Sequence, residues 1–169
     1  EPYPEPKEDG LTFEDNALIK ARAGAARTGL PCVADDSGLE VDALEGAPGV
    51  HSARYAVTAN HPGNSHDEKN NAKLLAELKG RARHHRAARF RCVIALARAG
   101  QYVQPQLFTG TCEGRIEETV RGENGFGYDP LFIPEGHEQT FGQLGDSVKS
   151  QLSHRAAALQ ELKDWLASQ

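Results

Sequence analysis

One stretch constrains the fold of this chain more than any other: within residues 31–39, an apolar run leads directly into Asp35 and Asp36, followed by Ser37 and Gly38. An apolar run closed by a glycine-containing turn predicts a buried strand that ends at these carboxylates. Successive side chains of a strand face opposite sides, so one Asp can face a site while the other braces it. Because ligands of open α/β sheets bind beyond the carboxyl ends of strands, we expect a site here. An ordinary Asp-Ser-Gly turn is the structural alternative.

The composition narrows the class of protein. A length of 169 residues fits one domain spanning 1–169, and 38% hydrophobic with 25% charged residues is an ordinary folded mixture. The net charge of -5 argues against a nucleic-acid partner. No apolar run approaches the ~20 residues that span a bilayer, so we expect no membrane partner. The three cysteines are far apart, and we expect buried free thiols in a reducing, cytoplasmic setting.

The remaining pattern alternates helices and strands, which predicts an α/β domain. Thr12 and Gly29 carry the start and stop signals of a helix over 13–27. We predict further strands at 39–44, 88–96, 107–109 and 111–120, with Gly110 and Gly114 as bulges. Further helices are predicted at 67–79 and 153–167, and a polar connection over 135–152. A basic patch at 79–86 is expected to be a solvated loop, with phosphate contact as the alternative.

The first group of residues with chemical potential is acidic. Glu8, Asp9, Asp35 and Asp36 offer carboxylate oxygens and no competing cluster of His and Cys has zinc spacing. Carboxylates together with water and substrate phosphates are the ligands that Mg²⁺ prefers. The sequence therefore suggests a magnesium site.

Two later segments suggest a pocket for a flat, anionic ligand. In the segment 125–129, two glycines flank an aromatic residue, which allows backbone and ring to approach a base closely. In the segment 149–155, Lys149, His154 and Arg155 lie at the start of the last predicted helix, where cations oppose the helix dipole. Such local conflicts favour function, although a glycine turn and solvated charges are the alternatives.

Five motifs in this order make the chain resemble a known family. They are Thr12-Phe13-Glu14-Asp15-Asn16-Ala17 with Lys20-Ala21, Ala34-Asp35-Asp36-Ser37-Gly38-Leu39, Gly46-Ala47-Pro48-Gly49-Val50 with Ser52-Ala53-Arg54-Tyr55, Phe126-Gly127-Tyr128-Asp129-Pro130, and Ser153-His154-Arg155. The set resembles the inosine triphosphate pyrophosphatase family and covers nearly the whole chain. The resemblance implies a long mixed β-sheet with flanking helices that form two lobes around a central cleft. It also implies a homodimer and Mg²⁺-dependent hydrolysis of ITP, dITP or XTP to monophosphate and pyrophosphate.

The resemblance assigns roles to individual residues. Asp36 is similar to the family's general base and metal carboxylate, and Glu8 to a second metal ligand. The residues that it implies for nucleotide binding are Ser37, Phe126, Gly127, Tyr128, Asp129, Lys149, His154 and Arg155. The chemistry is coherent, because a water near a carboxylate can attack phosphorus while cations offset the charge of the leaving pyrophosphate.

The chain departs from the family pattern at its front. Family members begin with a strand and a Ser/Thr-Gly-Asn-x-x-Lys phosphate loop, which the sequence lacks, and we expect about thirty residues to be absent there. Two alternatives therefore stay open at this point. One is a catalytically weak nucleotide-binding remnant, and the other is an unrelated Mg²⁺ phosphohydrolase with an aspartyl nucleophile at Asp35 or Asp36.

Overall fold

The fold is known from a computed structural model that describes residues 6–57, 65–100 and 104–169. Its helices are α1 (Phe13–Thr28), α2 (Asp67–Glu77), α3 (Asp146–Leu152) and α4 (His154–Ala167). Its strands are β1 (Cys32–Val41), β2 (Ala87–Ala97), β3 (Gln106–Ile116) and β4 (Phe132–Pro134). Among the described residues no helix is long and apolar enough to cross a membrane.

The four strands form one sheet in the order β1-β2-β3-β4. The α/β class is confirmed, but every pairing among the described strands is antiparallel, whereas we expected a mixed sheet. Parallel neighbours need a crossover between strands that run in the same direction. Here each strand instead reverses direction relative to the strand beside it.

Helix α1 follows from local signals, as predicted. The Thr12 hydroxyl accepts the Asp15 N–H at 3.1 Å, and Gly29 ends the helix in the left-handed conformation at φ 70°. The small residues Ala17, Ala21 and Ala25 are fully buried, so the helix lies close to the sheet.

Strand β1 is longer than the sequence suggested. Two strands at 31–35 and 39–44 were expected around a turn, but pairing with β2 is continuous from Cys32 to Val41. Gly38 is therefore not a turn residue. A Cβ atom at Gly38 would lie 2.5 Å from the Gly49 carbonyl oxygen and 2.5 Å from the Ser52 hydroxyl, so the glycine permits a close approach of the chain.

The two faces of β2 pack against different helices. Val93 and Ala95 pack on α1, whereas Cys92, Ile94 and Leu96 pack on Phe108 of β3 and on α4. This is the alternation expected of a strand buried on both sides. On the α4 face, a second apolar group around Leu39, Leu74, Phe90 and Phe132 lies further along the sheet. A cleft beside this group is lined by Leu39, Phe90 and His154.

Strand β3 contains two glycines whose predicted role was wrong. Gly110 and Gly114 were expected to be bulges, but both pair in register with β2. A Cβ at Gly110 would lie 1.9 Å from the His154 carbonyl oxygen, and one at Gly114 would lie 2.3 Å from the Ile133 carbonyl oxygen. Both glycines make room for neighbouring backbone, which the sequence pattern does not record.

Several smaller expectations also differ from the structure. The strand predicted over 111–120 ends at Ile116, and the polar connection 135–152 contains the short helix α3. Cys92 and Cys112 are buried free thiols as expected, but Cys32 is only half-buried. Residues 1–5, 58–64 and 101–103 lie outside the described residues.

The basic patch at 79–86 ends in a buried cation. Arg86 is 3% exposed and donates to the carbonyl oxygens of Leu78, Ile116 and Glu117 at 2.8–2.9 Å. Its planar guanidinium can serve three acceptors at once, so it joins the end of α2 to the end of β3. This arginine stabilises the fold and is not part of a solvated loop.

The close approach of α4 to β3 is testable. We expect Gly110→Ala to lower the free energy of unfolding by more than about 2 kcal/mol, because no rotamer change relieves a clash between Cβ and backbone. Urea unfolding measures the loss. Gly145→Ala is the control, since its Cβ would meet nothing within 4 Å. Gly145 is the N-cap of α3, so alanine there should cost no more than about 1 kcal/mol. Equal stability of the two variants would contradict the tight packing.

Candidate active site

Strand β1 presents its two adjacent carboxylates on opposite faces of the sheet. Asp36 faces α1, where its side chain meets Lys20 and Asn16, and Asp35 faces α4, where it meets Arg155. The sequence-based expectation that the two Asp would diverge is confirmed. The strand continues past both residues, however, so they lie in its middle and not at its end.

Asp36 lies in a small polar cluster beneath α1. Its Oδ1 accepts the Lys20 ammonium at 2.9 Å and its Oδ2 accepts the Asn16 amide at 3.4 Å. The Glu8 carboxylate also contacts Lys20, with 3.4 Å between Oε1 and Nζ. Both carboxylates therefore converge on one ammonium.

Burial sets the protonation behaviour of this cluster. It raises the pKa of Asp36, and the neighbouring Glu8 charge adds to the effect, against the opposing hydrogen bond from Lys20. Burial alone would lower the pKa of Lys20, but the hydrogen bond and charge of Asp36 raise it. Lys20 is thus held as a cation, while the proton affinity of Asp36 moves toward that of a useful general base.

Asp35 is held by an ion pair on the other face. Its Oδ2 accepts Nη2 and Nε of Arg155 at 2.8 and 3.2 Å, and the Ser37 hydroxyl at 3.2 Å. Burial would raise the pKa of Asp35, but the hydrogen bonds and charge of Arg155 lower it below its ordinary value. Asp35 therefore stays ionised and fixes the guanidinium at the start of α4.

The cleft on the α4 face holds a cavity of about 180 Å³. All eight residues that the resemblance implied for nucleotide binding line it: Ser37, Phe126, Gly127, Tyr128, Asp129, Lys149, His154 and Arg155. They come from β1, from the loop before β4 and from α3 and α4. The structure thus brings together residues that are far apart in sequence, and their individual roles stay predictions.

A second cavity, of about 470 Å³, adjoins the first. Glu8, Lys20 and Asp36 line it, and it shares Ser37 and Arg155 with the cavity on the α4 face. The two carboxylates expected at a metal site and the expected base pocket therefore belong to one continuous surface around β1.

The loop before β4 is organised by a buried carboxylate. Asp129 is 2% exposed, and its Oδ2 accepts the Phe126 N–H at 2.8 Å and also contacts the Lys149 ammonium. The same ammonium lies 4.1 Å from the centre of the Phe126 ring. The ring itself is 64% exposed, so one aromatic face is available to a flat ligand.

Tyr128 anchors the loop to the opposite side of the cleft. Its hydroxyl donates to the Ser52 carbonyl oxygen at 2.8 Å, and the Ser52 hydroxyl accepts the Leu39 N–H at 2.9 Å. Burial raises the pKa of Tyr128 well above its ordinary range, so the phenol stays protonated as a donor.

His154 is a neutral histidine at the floor of the cavity. Its ring stacks on Phe90 with 5.0 Å between ring centres, and its Nδ1 is buried without a hydrogen-bond partner among the described residues. Burial and the nearby charges of Arg155 and Lys149 lower its pKa to about 4. A buried imidazole with an unused polar atom is suited to contact a ligand.

The sequence of the chain matches a known protein family. Residues 1–165 match the model of the Ham1 family. The chain belongs to the Ham1 family. It is 50% identical over 164 residues to a dITP/XTP pyrophosphatase of Desulforamulus reducens, covering 97% of this chain and 78% of that protein. It is also 50% identical over 167 residues to a dITP/XTP pyrophosphatase of Geobacter sulfurreducens, covering 99% and 80%.

A solved Ham1 structure supports the same assignment. The HAM1 protein from Coxiella burnetii superposes with a TM-score of 0.90 at 42% identity, covering 98% of this chain and 82% of that chain. The resemblance drawn from the sequence is confirmed. Membership of the Ham1 family contradicts the alternative of an unrelated phosphohydrolase, and relatives named as pyrophosphatases do not favour the alternative of a catalytically weak remnant.

The carboxylates of this Ham1 chain fit Mg²⁺. Glu8 and Asp36 supply hard oxygen donors beside one cavity, and each carboxylate lies within 3.4 Å of the Lys20 ammonium. Within the described ranges no three His, Cys, Asp or Glu side chains gather as a metal cage. Two carboxylates completed by water and substrate phosphates are the arrangement in which Mg²⁺ is usually bound.

Sequence reasoning missed two residues of the Asp36 cluster. Asn16 and Lys20 occur in a family motif, but neither was assigned a role. Both lie on α1 four residues apart, so they share a face with the buried Ala17 and Ala21. A polar pair inside an apolar helical stripe was the available signal, since such residues need a buried partner.

The low pKa of His154 predicts a specific loss of stability in acid. As the pH falls below 6.5, His154 is protonated in the unfolded chain, whereas in the folded chain it stays neutral until about pH 4. We therefore expect His154 to cost up to about 3 kcal/mol of unfolding free energy as the pH falls from 7 to 4. Urea unfolding at several pH values should show a shallower acid loss in His154→Gln than in the parent.

The exposed His84 provides the control. His84→Gln should keep the acid loss of the parent, because His84 is exposed and lines neither cavity. If His154→Gln and His84→Gln lose stability equally between pH 7 and 4, His154 is not buried as a neutral base.

Proposed function

We propose that this chain hydrolyses non-canonical purine nucleoside triphosphates, namely ITP, dITP or XTP, to the monophosphate and pyrophosphate. One observation carries the proposal: the cavity with Glu8 and Asp36 adjoins the cavity with the Phe126 loop, and both are bordered by Ser37 and Arg155. A nucleoside triphosphate has its base and its phosphates at opposite ends, so one molecule can reach both cavities. The Ham1 relatives are named dITP/XTP pyrophosphatases, which supports dITP and XTP among these substrates.

Asp36 is the proposed general base. Its carboxylate borders the phosphate end of the site, and its raised pKa improves proton uptake from an attacking water. Asn16 and Lys20 fix the orientation of the carboxylate. Attack of the water on the α-phosphorus would break the bond to the β-phosphate and release pyrophosphate.

Cations around both cavities would offset the charge of the substrate. Lys20 lies beside the proposed base and Arg155 lies between the two cavities. Preorganised cations of this kind stabilise the negative charge that develops on a leaving pyrophosphate. We also propose Mg²⁺ at Glu8 and Asp36; when bound, it supplies further stabilisation of phosphate charge.

Base selection would occur at the Phe126 loop. The exposed Phe126 ring offers a stacking face, while the Lys149 ammonium and the His154 imidazole border the same cavity and are the proposed donors. Hypoxanthine and xanthine carry a 6-keto oxygen that accepts such hydrogen bonds. Adenine would place an amino group against the donors and leave them unpaired, which is an effective form of rejection.

The domain organisation, the oligomeric state and the location of the chain are also proposed here. We propose that the chain acts as one pyrophosphatase domain, as a homodimer and in the cytoplasm. The homodimer rests on the family resemblance, and the cytoplasm rests on the dispersed free cysteines.

The substrate is tested by pyrophosphate release. With Mg²⁺, we expect the chain to release pyrophosphate from ITP and XTP at least about tenfold faster than from ATP at equal concentration, since a mismatched donor set costs at least one hydrogen bond. Addition of EDTA should abolish release, and excess Mg²⁺ should restore it. Equal release from ITP and ATP would contradict base selection, and orthophosphate as the only product would contradict cleavage at the α-phosphorus.

The role of Asp36 is tested by Asp36→Asn. The amide keeps the size of the side chain but cannot take up a proton, so we expect kcat for ITP to fall by a factor of about 100 or more. Thermal unfolding should show that the variant stays folded. Asp164→Asn is the control, because Asp164 is an exposed carboxylate on α4 away from both cavities. An active Asp36→Asn enzyme would remove Asp36 as the base.

A further inference from the structure

Helix α2 holds both backbone polar groups of a single glycine in the base-pocket loop. The Asp67 carboxylate accepts the Gly127 N–H at 2.6 Å, and the Asn71 amide donates to the Gly127 carbonyl oxygen at 3.0 Å. Asp67 and Asn71 lie four residues apart, so they project from the same face of the helix. In the described part of the chain no other hydrogen bond reaches the backbone of Gly127.

The position of this glycine determines where the Phe126 ring lies. Gly127 has a left-handed conformation, with φ at 61°, and directly follows Phe126. Because the ring is largely exposed, few packing contacts hold it, and its direction depends on the backbone beside it. A shift at Gly127 would therefore move the proposed stacking face.

An asparagine at position 71 lowers the stability of the fold, so its presence needs a functional reason. It is 6% exposed, and its Oδ1 has no hydrogen-bond partner among the described residues. An unsatisfied buried oxygen destabilises a fold, and an apolar side chain of similar size would avoid the cost. A polar residue kept against stability is a mark of function.

Helix α2 is held in place by its own packing contacts. Leu74 and Leu78, at its carboxyl end, are fully buried in the apolar group around Phe132. The helix also contacts the other side of the cleft, since Lys73 donates to the Tyr55 carbonyl oxygen at 2.8 Å. A side chain on α2 can therefore transmit a fixed position to the loop.

We propose that Asp67 and Asn71 are positioning residues that fix Gly127, and through it the Phe126 ring, for stacking on the purine base. The role rests on the proposed function, because it concerns the binding of that substrate. It assigns α2 to the base pocket: Asp67 also borders that cavity, whereas Asn71 does not and can act only through Gly127.

Kinetics of Asp67→Ala test the proposal. We expect KM for ITP to rise about tenfold with kcat within about twofold of the parent, because the loss affects binding of the base and not the chemical step. Asp67→Asn keeps an acceptor oxygen and should recover most of the parent KM. Glu68→Gln is the matched control: it removes a neighbouring acid from the same helical turn. The Glu68 side chain makes no hydrogen bond or ion pair among the described residues.

Asn71→Leu separates positioning from a structural role. We expect this variant to be at least as stable as the parent in thermal unfolding while its KM for ITP rises. A merely structural residue would lose stability and activity together. The double variant Asp67→Ala with Asn71→Leu should raise KM by less than the product of the two single effects, because both residues act on Gly127.

Hydrogen exchange of the Gly127 amide, followed by NMR, tests the hydrogen bond between Asp67 and Gly127 without an activity measurement. Protection should fall in Asp67→Ala and stay unchanged in Glu68→Gln. If Asp67→Ala matches Glu68→Gln in both KM and amide protection, the positioning role is overturned. If the parent releases no pyrophosphate from ITP, the proposed function fails, while amide protection still decides whether α2 fixes Gly127.

Discussion

The structure depends on the alternation of side chains along one strand. Because neighbouring residues of β1 face opposite sides, Asp35 and Asp36 are delivered to different helices by a single peptide unit. Each carboxylate then holds a cation, Arg155 or Lys20. The proposed base pocket and the proposed phosphate site are thereby kept at a fixed separation on the two sides of the same strand.

This arrangement divides the work between the two faces of the sheet. The α1 face carries the carboxylates and the ammonium expected to act on phosphates, whereas the α4 face carries the aromatic and cationic groups expected to act on the base. Arg155 borders both cavities. The two functions therefore share few side chains, and base selection can change without disturbing the proposed chemistry at Asp36.

The sequence predicted those parts of the molecule that depend on local signals or on motif order. The cap at Thr12 and the stop at Gly29 define α1 without reference to the rest of the chain. The sequence could not predict that Gly38 belongs to a continuous strand, because a glycine is needed there only for the close contact with the distant Gly49. The same holds for Lys20, whose role appears only when α1 lies over β1.

Glycines in this sheet carry information of an unusual kind. At Gly38, Gly110 and Gly114, the backbone of a neighbouring segment fills the space where a side chain would be. At most positions a substitution by alanine removes side-chain atoms, but at these three glycines it adds a Cβ where the neighbouring chain already lies. A loss of stability in such a variant therefore measures how closely two segments of the chain approach each other, and not the loss of a side-chain contact.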